Sequence, residues 1–561
     1  MGRQLSQPGS PVPPELDRVS VRATHAELSG RARLPAPSRP ISRTQLLVAM
    51  CLMAAAGLVG GCSTSALPTL RYVAELSGHQ SSETRCHQLF ANIEQAVAAA
   101  GVRDVEARVV PGFPNLRVNR FLAHFSTDFE GRAYGPAFEA WVDRLQNLST
   151  EAINIEIANL SDREFAGLSR ETLGYAGDRQ SMSERVRKCA KQVRLKQLAV
   201  SAQRRMLVAR AKVPDSYDDK ARLLGAFPLT SIPIENGWRT WKRENLGSFD
   251  LEPAALPVAG ELIDYYPGGQ NKALPAKTTR LLLARSRDTH LQIPEPDGPD
   301  LQRLLRAFAP IWQIDVAGNY DRFGQPVWSS DGAAISIDQE RPVVFTHVSH
   351  TQIGGQFLLQ LNYAIWFQAR PPVGAFDLLS GNLDAVIWRV TLGPDGRPLV
   401  YDSIHACGCY HLVFPLPAVQ SRLTAPVAEA MRERPAIIRR APVVKPGERV
   451  VLRIATASHY LVGVYVREVP SDRKPRRTYR ILNDRALRSL PIPRAGRRSL
   501  YGEDGIVAGT ERLERYLLWP SGVLSPGAMR QWGHHAIALT ERRHFDEPDL
   551  FENVLGGPIE N

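Results

Sequence analysis

The stretch GNLDAVIWRVTLGPDGRPLVYDSIH, Gly381 to His405, restricts the fold more than any other part of the chain. Two runs rich in β-branched and aromatic residues flank GPDGRP, whose prolines and glycines suit the backbone angles of a tight turn, so the segment reads as a β-hairpin. PVVFTHVSH, QFLLQLNYAIWF, YHLVF and RVVLRIATASHYLVGVYV have the same texture and are punctuated by Gly and Pro. So many strand-like runs between residues 310 and 468 predict an antiparallel sheet with a filled core. No repeat of fixed period accompanies them, which disfavours a propeller or a solenoid.

Upstream the apolar period changes to that of a helix. In TRCHQLFANIEQAVAAAG, Cys86, Leu89, Phe90, Ile93 and Val97 share one face, and Gly101 is placed as a stop. Phe138, Trp141, Val142 and Leu145 repeat the pattern. Met182, Val186, Cys189 and Val193 open a third helix, expected to run toward Val213 and end before Pro214. LEPAALPVAG and YYPGGQNKALP lack periodicity and read as a connector. The expected fold class is α+β: a signal segment over 1–61, an α-helical region over 62–230, a Pro/Gly-rich connector over 231–300, a mainly antiparallel β-rich domain over 301–470 and a mixed, basic C-terminal segment over 471–561.

LLVAMCLMAAAGLVGGC, Leu46 to Cys62, concerns location rather than fold. Arg39 and Arg43 precede an apolar core too short for a comfortable membrane span, and the core ends in small residues, the layout of a secretory signal. Val59-Gly60-Gly61-Cys62 resembles the lipobox of bacterial lipoproteins. That resemblance implies a diacylglyceryl group on Cys62, cleavage before it, and, with Ser63 rather than an aspartate following, sorting to the outer membrane facing the periplasm. The leader Met1 to Thr44 is long for such a signal, which points to initiation nearer the apolar core. Net charge is +12 over the whole chain, and residues 1–61 hold seven arginines against three acidic residues, so the mature chain carries about +8. In an envelope such a protein meets anionic head groups and wall carboxylates rather than nucleic acid. The expected partners are the membrane, through the anchor, and a cell-wall or envelope component.

Four cysteines remain beyond the signal and anchor: Cys86, Cys189, Cys407 and Cys409. In an oxidising compartment the economical pairing is Cys86 with Cys189, each on an apolar helical stripe, and Cys407 with Cys409. The second pair lies within DSIHACGCYHLVFP, where His405, Cys407, Cys409 and His411 occupy alternate positions and would share a strand face. Same-face neighbours are about 6.6 Å apart, so a disulfide requires a bend, which Gly408 permits. Four such residues in a straight row span about 20 Å and cannot all reach one ion, so zinc or another transition metal would need a kink or further donors, for which His347 and His350 are the nominees. Three readings of this segment stand: a disulfide or redox pair, a metal site, and a structural cluster. The disulfide is the expectation taken forward.

No G-x-S-x-G elbow, H-E-x-x-H helix, phosphate-cradling loop or G-x-G-x-x-G turn occurs. Ser471 to Lys474 has S-x-x-K spacing but lies in a polar, Pro-containing stretch. His534, His535 and His544 with Asp546 offer a base and an orienting carboxylate without an evident nucleophile. The expected function is a binding or structural lipoprotein of the envelope. The alternative is a metal-dependent hydrolase or a thiol redox enzyme using His405 to His411.

Overall fold

The two runs flanking GPDGRP pair as expected, with Tyr401 opposite Val390 and Asp402 opposite Arg389. The Gly393 amide closes the turn on the Arg397 carbonyl at 2.7 Å. This computed structural model describes residues 82–555 apart from 175–176, 270–273, 288–289, 375, 421–430 and 470–475. Cys62, the signal segment and Ser471 to Lys474 lie outside the described residues.

A small hairpin, β1 (Arg108–Val110) and β2 (Phe113–Val118), precedes a sheet of thirteen strands. In chain order these are β3 (Glu261–Pro267), β4 (Ile311–Val316), β5 (Phe323–Trp328), β6 (Ile335–Asp338), β7 (Val343–Ile353), β8 (Gln356–Arg370), β9 (Gly381–Leu392), β10 (Pro398–His405), β11 (Leu412–Pro415), β12 (Ala436–Ile437), β13 (Glu448–Ile454), β14 (Leu461–Glu468) and β15 (Arg477–Asn483). A short ribbon of β16 (Leu490–Ile492) and β17 (Gly496–Arg498) follows. Across the sheet the order is β12-β11-β10-β9-β8-β7-β15-β3-β4-β13-β14, with β5 pairing β8 and β6. The sheet is mixed: β15 runs parallel to both β7 and β3, and β4 parallel to β13.

The sheet is buried on both faces. Leu359, Leu361, Tyr363, Ile365 and Phe367 of β8 point into one core with Trp312, Trp388 and Tyr401. Leu358 and Trp366 point into the other with Val400, Ile404 and Val413. Strand alternation thus feeds two cores, which explains why the runs read as almost continuously apolar.

The helical region buries the stripes its sequence marks. Cys86, Leu89, Phe90, Ile93 and Val97 of the helix Ser82–Ala100 pack against Met182, Val186, Cys189 and Val193 of Arg179–Gln197. Where they meet, Cys86 and Cys189 are joined, their Cα atoms 5.1 Å apart. The third helix stops at Gln197 and a new one spans Ser201–Arg210, and the Arg204 guanidinium turns back to cap the Leu198 carbonyl at 2.7 Å.

Two boundaries differ from expectation. The supposed connector contributes β3 to the middle of the sheet and supplies the helices Phe227–Asn245 and Ala276–Arg285. Pro228 and Pro233 lie in the first turns of the former, and prolines in a helical pattern suppress its recognition. The C-terminal segment likewise supplies β15, wedged between β7 and β3. Among the described residues no helix is long and apolar enough to cross a membrane.

Candidate functional site

DSIHACGCYHLVFP is not one strand but two, joined by a reversal. β10 and β11 pair antiparallel with Ser403 opposite Leu412, and the chain between them turns at Gly408. The Gly408 amide donates to the His405 carbonyl at 2.8 Å, and the His405 amide to the Cys409 carbonyl at 3.0 Å. Gly408 has φ +93, and a Cβ there would lie 2.2 Å from the Ala536 carbonyl oxygen, so the turn admits only glycine. Folding the row back on itself destroys its shared face. His411 falls opposite the Ile404 position and joins the Asp402 face, whereas His405 keeps the Ser403 face.

Each histidine therefore meets its own carboxylate. His405 Nδ1 lies 3.3 Å from Asp384 Oδ1, whose second oxygen is 2.9 Å from His459 Nδ1, and His459 Nε2 is 3.4 Å from Asp321. Burial disfavours charge on Asp384, but His405 and His459 hold its carboxyl well below the usual range. Burial would also lower His459, yet Asp321 and Asp384 raise it, while burial prevails at His405 and lowers it. The His459 ring is stacked on Phe367 at 3.9 Å. On the opposite face His411 Nε2 lies 3.0 Å from Asp402 Oδ2, and Asp402 is bonded by the Arg389 guanidinium through Nε at 2.8 Å. Leu383, Tyr410 and His459 hold φ of +49, +59 and +53, left-handed conformations that cost bulky residues about 1–3 kcal/mol each. Such strain gathers where function or a packed network imposes it.

These positions correct two expectations. His405 and His411 leave the turn toward separate ion networks, so His405, Cys407, Cys409 and His411 do not converge on one metal. The nominated extra donors are elsewhere as well: His350 Nε2 bonds the Pro294 carbonyl at 2.9 Å, and His347 Nδ1 lies 2.8 Å from Asp484. Cys407 and Cys409 are unbonded thiols rather than the expected disulfide. The turn directs the Cys409 amide onto Cys407 Sγ at 3.4 Å, and the thiols meet by hydrogen bonding. That contact, then burial, pushes the Cys409 thiol well above its ordinary value, with buried Arg530 opposing.

Both thiols border a cavity of about 330 Å³. Its walls are the helix Phe227–Asn245, the Cys407–Tyr410 turn, and loops carrying Glu433, Glu514, Leu518, Val523 and Ile537 to Leu539. Trp238 and Trp241, three residues apart and so on one helical face, are stacked at 5.1 Å, and Trp241 meets Tyr410 at 4.7 Å. Tyr410 touches Tyr460, whose hydroxyl lies 3.1 Å from Arg370. Most of the lining is apolar. The acids in it are tuned by burial: Glu514 is pushed up to about 7, and Glu433 is raised although it accepts the Leu539 and Thr540 amides. Arg530, 5 % exposed, stands behind the turn. Its amide bonds the Ala406 carbonyl, and its guanidinium bonds only carbonyls, of Cys407 at 3.2 Å, Ser525 at 2.8 Å and Leu524. Among the described residues no carboxylate reaches ion-pair distance of it.

One other cluster offers metal-ligand chemistry. Glu106, His347 and Asp484 bring ligand atoms within 4.8 Å of one another. Arg488 stands 3.2 Å from Glu106, a fixed cation where an ion would need open space. Burial pushes Glu106 up to about 7. Of the C-terminal histidines, His534 bonds the Val105 carbonyl and His544 meets Glu547, while Asp546 holds Arg120.

Sequence reading missed Asp384, Trp238, Trp241, Glu514 and Arg530. The first had a signal, since an aspartate inside the apolar run NLDAVIW must be paired if buried. The tryptophans had their three-residue spacing. Glu514 and Arg530 are ordinary in sequence and become unusual only by burial. No protein family, no curated protein and no solved structure compared with the chain matches it.

Proposed function

We propose that this chain is an outer-membrane-anchored periplasmic lipoprotein whose folded body binds an apolar envelope ligand in the cavity beside the Cys407–Tyr410 turn. The observation that carries the binding reading is the cavity itself: about 330 Å³, walled by Trp238, Trp241 and Tyr410, within the size range of small-molecule sites. Exposed apolar residues adjoin the lining segments in sequence. Leu223, Leu224, Leu229 and Ile232 are exposed around the start of the tryptophan-bearing helix, and Tyr516, Leu517 and Leu524 are exposed across from them. Gly225 packs there against Pro520. The anchor reading rests on the lipobox ending in Cys62. A metal-dependent hydrolase built on His405 to His411 is disfavoured by the divergence of those two histidines.

Leu539→Trp, which fills the cavity from its wall, is expected to weaken binding of an apolar fluorescent probe such as anilinonaphthalene sulfonate by roughly tenfold or more at unchanged thermal midpoint. Unchanged affinity removes the cavity from consideration. For the anchor, Cys62→Ala is expected to leave precursor or soluble protein. Retention of that variant in the outer membrane after a high-salt wash contradicts lipid anchoring, because salt strips mainly electrostatic adhesion.

A further inference from the structure

We propose that Cys407 and Cys409 form a dithiol couple that reduces a disulfide-bearing ligand in the cavity, with Cys407 as the attacking sulfur and Cys409 as the resolving one. The inference rests on the ligand-binding reading and adds a reaction to it.

Three observations meet at the turn. Both thiols border the cavity, so an apolar molecule held against Trp241 and Tyr410 lies against sulfur. Cys407 Sγ already accepts a hydrogen bond from the Cys409 amide at 3.4 Å, so the turn holds the two cysteines against each other. The third is Arg530. This deeply buried cation bonds only carbonyls and has no carboxylate at ion-pair distance among the described residues, which is costly in a protein interior. A thiolate formed on Cys407 in the reaction would place negative charge on its side of the turn. Burial lowers Arg530, while negative charge on Cys407, Cys409 and Asp504 raises it.

The chemistry balances without metal or oxygen. The Cys407 thiolate attacks one sulfur of R–S–S–R′; the Cys407–sulfur bond forms, the S–S bond breaks, and R′–S⁻ leaves and takes a proton. Cys409 then gives its proton to the carboxylate of Glu514 in the same cavity wall and attacks Cys407 Sγ. This closes the Cys407–Cys409 disulfide and expels R–S⁻, which recovers the proton from Glu514. Two electrons pass from the protein dithiol to the ligand disulfide, and two thiols result. Gly408 gives the backbone the freedom that closure of so short a ring demands.

The test uses the folded chain without reductant and the aromatic disulfide 4,4′-dithiodipyridine. Wild type is expected to release two thiopyridone molecules per protein in one rapid phase and to end two mass units lighter, with no adduct. Cys409→Ser is expected to release one and keep a mixed disulfide on Cys407, and Cys407→Ser to react roughly tenfold more slowly or worse. Because either variant can disturb packing, wild type is also measured with saturating anilinonaphthalene sulfonate, which should slow the rapid phase by competing for the cavity. Stable adducts on both cysteines of wild type, or Cys407→Ser reacting at the wild-type rate, overturns the dithiol couple. The two readings fail separately. If the probe binds and the thiols are inert, only the redox inference falls. If the thiols react and no probe binds or competes, the cavity reading falls, and with it the ligand half of this proposal.

Discussion

Cys86 and Cys189 stand 103 residues apart and are joined; Cys407 and Cys409 stand two apart and are not. Distance along the chain is a poor guide to either state. Cys86 and Cys189 occupy the meeting stripes of two regular helices, sealed by Leu89, Ile93, Val186 and Val193, with Gln192 Oε1 3.6 Å from the Cys86 sulfur. Cys407 and Cys409 sit on a strained reversal beside an apolar cavity, a buried guanidinium and a titrating carboxyl. The oxidising compartment proposed for this chain would favour a bond at both places, but only the first pair is joined. The comparison separates a cross-link that holds a fold from a thiol pair available for chemistry.

The largest expected effect breaks the comparison on the first side. Replacing both Cys86 and Cys189 by serine frees a loop of roughly 100 residues and is expected to cost about 4 kcal/mol, within the usual range for a native cross-link. Denaturant midpoints of wild type with and without reductant should show the same drop. If reduction leaves the midpoint unchanged, the two cysteine pairs are equivalent after all.

Arg530→Met tests what distinguishes the second pair. It removes the cation behind the turn and leaves the Cys407, Ser525 and Leu524 carbonyls short of a donor, at an expected cost of about 2 kcal/mol. Its specific signature is chemical: the reaction of Cys407 with dithiodipyridine should slow at a pH where wild type reacts rapidly. A stability loss with unaltered thiol reactivity leaves Arg530 a purely structural group. Smaller again is Cys407→Ser, expected to cost about 1 kcal/mol, the low end for a hydroxyl placed at a site that already has a polar neighbour. A loss as large as that of the cross-link would show that Cys407 is core rather than cavity wall.

How much of this was legible in sequence depends on how local the cause was. The Cys86 and Cys189 stripes and the GPDGRP hairpin are short-range patterns, visible in ten to twenty residues. The His405 to His411 row misled for the same reason, because alternation was read across Gly408 as though the strand continued. The reversal sets Gly408 against the Ala536 carbonyl, over a hundred residues away. β15 was hidden because a strand held on both sides by parallel neighbours needs no hairpin partner and leaves no turn signal. The cavity was hidden because Trp241, Cys409, Glu514 and Leu539 come from four distant segments.

The smallest expected effect concerns the carboxyl that faces the thiols. Burial pushes Glu514 up to about 7, with Asp377 adding to the shift and Arg370 and Arg512 opposing it; Cys409 is the nearby titrating thiol. A carboxyl with a raised folded value keeps its proton in the folded chain after the unfolded chain has lost it. The unfolded state then binds fewer protons, and stability falls as pH rises from about 4.5 toward 7, levelling off above. With solvent entering the cavity the loss should amount to about 1 kcal/mol. Glu514→Gln cannot ionise, so its stability should be flatter through that window and should exceed wild type at pH 8 rather than at pH 4. The same variant lacks the acceptor assigned to the Cys409 proton, so its mixed disulfide on Cys407 should persist longer at pH 7. A parallel pH profile in both proteins would place Glu514 in open solvent and leave the thiol pair without its base.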